Sequence, residues 1–202
     1  MTFLMAAILT VNLQLDVRLY DSIGVSPAEL DRARAGVGAI LASVGIKPIW
    51  RPCHVSTCTG PVKPHEVALR FVRSGPLSEA GSLGFSLIDV PRHAGSLATI
   101  YLDRVQALAA QAAIDEGDLL GRAMAHEIGH MLIGRADHSR TGLMRAVWGS
   151  DELRRGLPTD WLFSGREAAE LRRQLTMRMR AGEPPTAMLA RLIAPCDETM
   201  LP

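Results

Sequence analysis

Cysteine, aromatic rings and net charge are all scarce in this sequence, and each shortage closes off a class of protein. Three cysteines in 202 residues are too few for a disulfide scaffold, and the odd number leaves one without a partner in the chain. Aromatic residues make up 4% of the chain, and none stands among the arginines from Arg166 to Arg191, so that basic run lacks the stacking surfaces of a nucleic-acid binder. A formal net charge of +1 supplies no whole-molecule field toward nucleic acid or an anionic membrane. The longest apolar stretch, Met1 to Leu15, turns polar too soon to cross a bilayer. It has no Lys or Arg before it and no small-residue cleavage site, as a signal peptide would. Internal repeats and long low-complexity blocks are also missing.

What is present describes a soluble globular chain, 48% apolar and 21% charged. Its length suits one domain, expected over residues 1–181, with 182–202 a loosely held tail. Val11 to Leu19 alternates apolar and polar residues, the period of a half-buried strand. Ser26-Pro27-Ala28-Glu29 then opens a helix with a capping box, and Leu30, Ala33, Val37, Ile40, Leu41 and Val44 fall on one face before Gly45 ends it. Ile46 to Trp50 reads as a second strand, with Trp50 packing in the core. Strand, helix, strand in that order implies a right-handed parallel crossover.

Further strands are expected at 67–72, 83–89 and 97–102, separated by a loop at 52–64 and a Gly/Ser/Pro connector at 74–82, with a helix over 105–113. Residues 118–133 read as a helix. Beyond Met144, Trp148 and Trp161 flank a turn-rich segment, and Ser164-Gly165-Arg166-Glu167 opens a helix running to about Arg180. Its arginines, with Glu167 and Glu170 interleaved, read as a solvated helix face; Arg154, Arg155 and Arg191 extend the same basic cluster. Cys53 and Cys58 bracket a short loop and can form a small disulfide, two free thiols, or a weak metal cluster with His54; Cys196 reads as a tail thiol. An exported location favours the disulfide, in which case an export signal lies upstream of this start; the other expectation is a protein that is not exported.

The stretch with the most chemistry is His126-Glu127-Ile128-Gly129-His130. On a helix the two histidines stand four apart on one face and can grip one zinc ion, while Glu127, about a hundred degrees round, flanks the metal and can hold its water. Gly129 inside the helix costs about 1 kcal/mol against alanine and points to a close neighbour. Gly134 fits a left-handed helix cap, after which the chain can turn and return His138. A catalytic zinc takes three protein ligands and leaves one position for water.

These residues, with Ser139-Arg140-Thr141-Gly142-Leu143-Met144 behind them, resemble the metzincin metallopeptidases, whose motif is H-E-x-x-H-x-x-G-x-x-H followed by a methionine turn. Ser139 is similar to the residue that follows the last histidine in the matrix metalloproteinase branch. The pattern is closer still to short bacterial proteins of uncharacterised function with H-E-x-G-H-L-L-L-G and H-S-x-x-G-[IL]-M. Here Gly134 comes four residues after His130, and His138 four after Gly134, so the connection is two residues longer than the motif. Asp137, or Glu167 or Glu170 as in gluzincins, are the alternatives to His138.

Across about residues 11–148 the resemblance implies an α+β fold. Its parts are a twisted, mostly parallel sheet of about five strands with an antiparallel edge strand, a backing helix, an active-site helix and a small helical C-terminal part. It implies a Zn2+ cofactor held by His126, His130 and His138, Glu127 as the catalytic base, and Met144 as an apolar floor that does not touch the metal. A peptide or protein substrate is expected along edge strand 83–89, with Gly84 letting its backbone come close, or else that edge is covered by the 90–96 loop. Tyr101 reads as a structural residue, with an oxyanion role the other possibility. Two other functions stay open, a domain that keeps zinc for stability and a zinc hydrolase of a non-peptide substrate.

Overall fold

In the computed structural model, residues 13–54, 57–76, 81–89, 91–92 and 94–182 are described; Cys196, the segment 183–202 and the apolar residues before 13 lie outside them. β1 (Leu13–Asp21) sits inside the sheet, with Leu15, Val17 and Leu19 alternating into the core. Parallel neighbours flank it, β2 (Ile46–Cys53) on one side and β3 (Glu66–Val72) on the other. β5 (Ala94–Tyr101) continues parallel to β3, and β4 (Gly84–Asp89) closes the sheet antiparallel, giving the order β2-β1-β3-β5-β4. The edge strand is therefore the expected one.

Helix α1 (Pro27–Ala42) starts where its sequence signals it. The Ser26 hydroxyl accepts from the Glu29 N–H, and the Glu29 carboxylate accepts from the Ser26 N–H and O–H. α1 packs on β2 and on α3 (Glu116–Ile133), which runs across β3, β5 and β4. The two helices meet closely: a Cβ on Gly121 would lie 2.7 Å from the Ala33 carbonyl oxygen. α3 is buried at almost every position from Gly117 to Ile133, the polar His126, Glu127 and His130 included. α2 (Leu102–Ala112) follows β5 without a loop, and α5 (Gly165–Ala181), capped by Ser164, docks on β1 and α3.

Four features differ from the sequence expectations or go beyond them. β5 begins at Ala94, because β4 pairs with it from Asp89↔Ala94 onward, so part of the expected 90–96 loop is strand. The turn-rich segment contains a short helix, α4 (Ser150–Arg155), and a 3-10 turn (Pro158–Trp161). α4 buries only Leu153 and so lacks an apolar periodicity that could be read. Arg18 and Glu66 form a buried ion pair at 2.7 Å, with Arg18 also donating to the Gly60 and Pro61 carbonyls. Lastly, Arg178 is not on a solvated face: its guanidinium donates to the carbonyls of Met131, Leu132 and Gly95. Cys53 and Cys58 are joined in a disulfide, their α-carbons 5.6 Å apart. Trp50 is half-buried against the core with Arg34 over its ring, and Tyr101 is buried beneath Arg104. No described helix is long and apolar enough to cross a membrane.

Candidate metal centre

α3 carries the motif because both its ends are fixed. Asp115 caps the first turn by accepting from the Asp118 N–H at 3.1 Å. At the other end Gly134 adopts φ 73°, left-handed backbone that costs glycine nothing, and its N–H returns to the His130 carbonyl at 2.8 Å. The chain leaves the helix there, passes Arg135 to Asp137 and comes back at His138. The Ser139 N–H donates to the Met144 carbonyl, and the Leu143 N–H to the Leu162 carbonyl, which holds the following turn beneath α3.

Three imidazoles converge as a result. The Nε2 atoms of His126 and His130 are 3.0 Å apart, and those of His130 and His138 are 3.2 Å apart. Nitrogen atoms of all three rings lie within 4.8 Å of one another, an arrangement that could hold one metal ion. The longer connection thus still returns His138, and the alternatives are engaged elsewhere. Asp137 is exposed and pairs with Arg135. Glu167 is buried, accepting from the Ser139 hydroxyl and the Ser164 N–H. Glu170 accepts from Arg173 and Gln174, and the Arg173 guanidinium with the Gln174 amide pulls its carboxyl down to about 2.

The proton arrangement decides whether a cation fits. Nδ1 of His126 lies 2.9 Å from the Leu143 carbonyl, and Nδ1 of His130 lies 2.8 Å from the Arg135 carbonyl. A carbonyl only accepts, so each Nδ1 carries the ring proton and each Nε2 presents a lone pair. Two lone pairs facing at 3.0 Å repel unless a positive centre lies between them, which is what a metal ion supplies. Burial, helped by the neighbouring His130 and His138 and opposed by the Leu143 carbonyl, lowers His126 to about 3; burial also lowers His130. Both rings are therefore neutral near pH 7, the form that ligates.

Glu127 faces the other way, onto β4. It is 6% exposed; burial pushes its carboxyl up to about 7, against the opposing hydrogen bond from the Ser86 hydroxyl at 2.5 Å. The space at Gly84 belongs to this carboxylate, since a Cβ there would lie 2.9 Å from Glu127 Oε1. Gly84 is buried. The space at Gly129 is also occupied: a Cβ would meet Met144 Sδ at 2.6 Å and Phe163 at 2.8 Å, so the close neighbour expected there is the buried Met144.

His126, Glu127, His130 and His138 all line one cleft of about 680 Å³, to which β4, α2 and residues 145–148 also contribute. Its walls include the apolar side chains of Phe85, Leu108, Val147 and Trp148. Trp148 stands edge-on to His126, ring centroids 5.6 Å apart, and edge-on to the buried Trp161. Sequence reasoning missed Ser86, which reaches the site across 41 positions of chain that no local spacing encodes; the turn 145–148, expected from the sequence to shape the substrate pocket, does line the cleft.

No protein-family model matches the sequence, and no curated protein does either. Solved structures do. A zinc-dependent peptidase from Methanocorpusculum labreanum superposes with a TM-score of 0.53 at 16% identity, over 77% of this chain and 99% of that one. The archaemetzincin of Methanopyrus kandleri superposes with a TM-score of 0.51 at 17% identity, over 81% and 96%. The fold is metzincin-like. Within the metzincin-like fold the three-histidine cluster lies on the central helix and the bend behind it, under the antiparallel edge strand.

Proposed function

We propose that this chain is a zinc-dependent peptidase in which His126, His130 and His138 hold the metal and Glu127 is the general base. The observation that carries the reading is the set of converging Nε2 lone pairs, two of them oriented by Nδ1–H bonds to main-chain carbonyls. Among the described residues no fourth protein ligand joins the three, which favours an open catalytic site over a closed structural one. The likeness of fold to solved zinc-dependent peptidases supports the same choice of metal and reaction.

Zinc held by His126, His130 and His138 would supply Lewis acidity, lowering the pKa of a water toward neutrality and polarising a peptide carbonyl. The chain's own groups do the rest. Glu127 takes the proton of the attacking water on its carboxylate and passes it to the nitrogen of the leaving amine. β4 is an edge strand, and an extended peptide adds to its outer side as a further strand. Phe85 and Val147, both exposed and both lining the cleft, meet substrate side chains. Met144 forms the apolar floor under α3.

The test is metal analysis of the purified chain, followed by hydrolysis of a peptide library by the wild type and by Glu127→Ala. One zinc per chain is expected in both, with cleavage by E127A lower by about 100-fold or more. A wild type without zinc, or equal cleavage by the two proteins, overturns the proposal. Hydrolysis confined to non-peptide esters or amides assigns the same site to a different substrate class.

A further inference from the structure

We propose that Ser86 is the positioning residue for Glu127, holding one carboxylate oxygen so that the other meets the water in the cleft. The inference rests on the peptidase reading above and adds to it a residue of β4. Ser86 is the middle residue of β4's inward-facing set, between Gly84 and Ile88, and all three line the cleft. Its hydroxyl lies 2.5 Å from Glu127 Oε2, with the Glu127 main-chain carbonyl farther off at 3.1 Å. A hydroxyl has one proton, and the charged oxygen at the shorter distance takes it.

The other oxygen, Oε1, meets no donor among the described residues and lies over Gly84, where a Cβ would come within 2.9 Å. The carboxylate is thus seated by two residues of one strand, a donor at Ser86 and a gap at Gly84. The register of β4 on β5 shifts between Leu87 and Ile88, one residue beyond Ser86, where Ser96 of β5 is the extra residue. With Oε2 held, Oε1 receives the water's proton and presents it to the leaving nitrogen. Because β4 is also the edge on which an extended peptide would pair, the strand that docks substrate sets the position of the base.

Full-length Ser86→Ala and Ser86→Thr variants test this, each measured for zinc content, peptide hydrolysis and the position of Glu127 in crystals grown without metal. Both should bind one zinc. S86A should lose kcat by roughly 10–100-fold with KM little changed, the size of effect a small misplacement of a reacting group produces. S86T retains the hydroxyl and should recover most of kcat. In crystals the Glu127 carboxylate should keep its wild-type place in S86T and leave it in S86A. A wild-type kcat in S86A, failure of S86T to recover, or an unmoved carboxylate in S86A overturns the assignment. If the wild type cleaves no peptide, the peptidase reading fails by itself, and the three crystal structures still decide what Ser86 does.

Discussion

His126 and Glu127 are neighbours in the chain, and burial acts on both in one direction, toward the uncharged form. For a histidine that means a lowered pKa, about 3; for a glutamate a raised one, about 7. They differ in what faces them, because a step of about a hundred degrees round the helix sends His126 to the imidazole cluster and Glu127 to β4. The third imidazole is the residue on which the donor set depends. His138→Ala should weaken zinc binding by more than about 100-fold, beyond the 10–100-fold that a change in a ligand's supporting partner costs. Asp137→Ala, removing an exposed carboxylate that pairs with Arg135, should leave it nearly unchanged. Competition with a chromophoric chelator measures both, and equal losses would return Asp137 to the ligand set.

At the scale of elements, α3 depends on α5 for its C-terminal end. The last carbonyls of a helix have no partner inside it, and here those of Met131 and Leu132 accept from the half-buried Arg178 guanidinium, a cation at the negative end of the helix. Burial lowers the pKa of that guanidinium. The spacing of charges on α5 reads as a solvated face, and for Arg173, paired with Glu170, it is one. Arg178 departs from it because α5 lies against the end of α3, a contact between segments 46 and 47 residues apart. Arg178→Ala should therefore cost about 2–3 kcal/mol of stability by urea unfolding, the range for a charged hydrogen bond lost with its acceptors left buried. Arg173→Ala, which breaks only an exposed pair, should cost less than about 1 kcal/mol.

For the whole molecule, the question is whether the metal would hold the fold or only use it. The core runs from Leu15 and Val17 through Phe71 and Ile100 to Met124, Ile128 and Leu132, and involves no metal-ligating atom. A chain of this size buries enough apolar surface to fold unaided, unlike a small zinc finger. Chelation should therefore lower the melting temperature by the linkage of a lost ligand and leave the far-ultraviolet circular dichroism of the folded state in place. Collapse of that signal on adding chelator at 25 °C would instead favour a domain that keeps zinc for stability.

The elements with strong local signals were readable from the chain: the alternation in β1, the capping box of α1, the Gly134 cap and the His-Glu-x-x-His spacing on α3. So was the antiparallel edge, through resemblance to a family. The local signals depend on residues a few positions apart, where backbone geometry alone relates sequence to shape; the edge, which pairs residues such as Gly84 and Ile100, was legible only through the resemblance. Contacts between distant segments were decided only by the tertiary structure. It brought His138 to the cluster across a lengthened loop, set Ser86 and Gly84 around the Glu127 carboxylate, ran Arg178 to the end of α3 and paired Arg18 with Glu66. The physical reason is that burial and hydrogen-bond partners are properties of packed surfaces, and the residues that share such a surface here lie 8 to 48 positions apart in the chain.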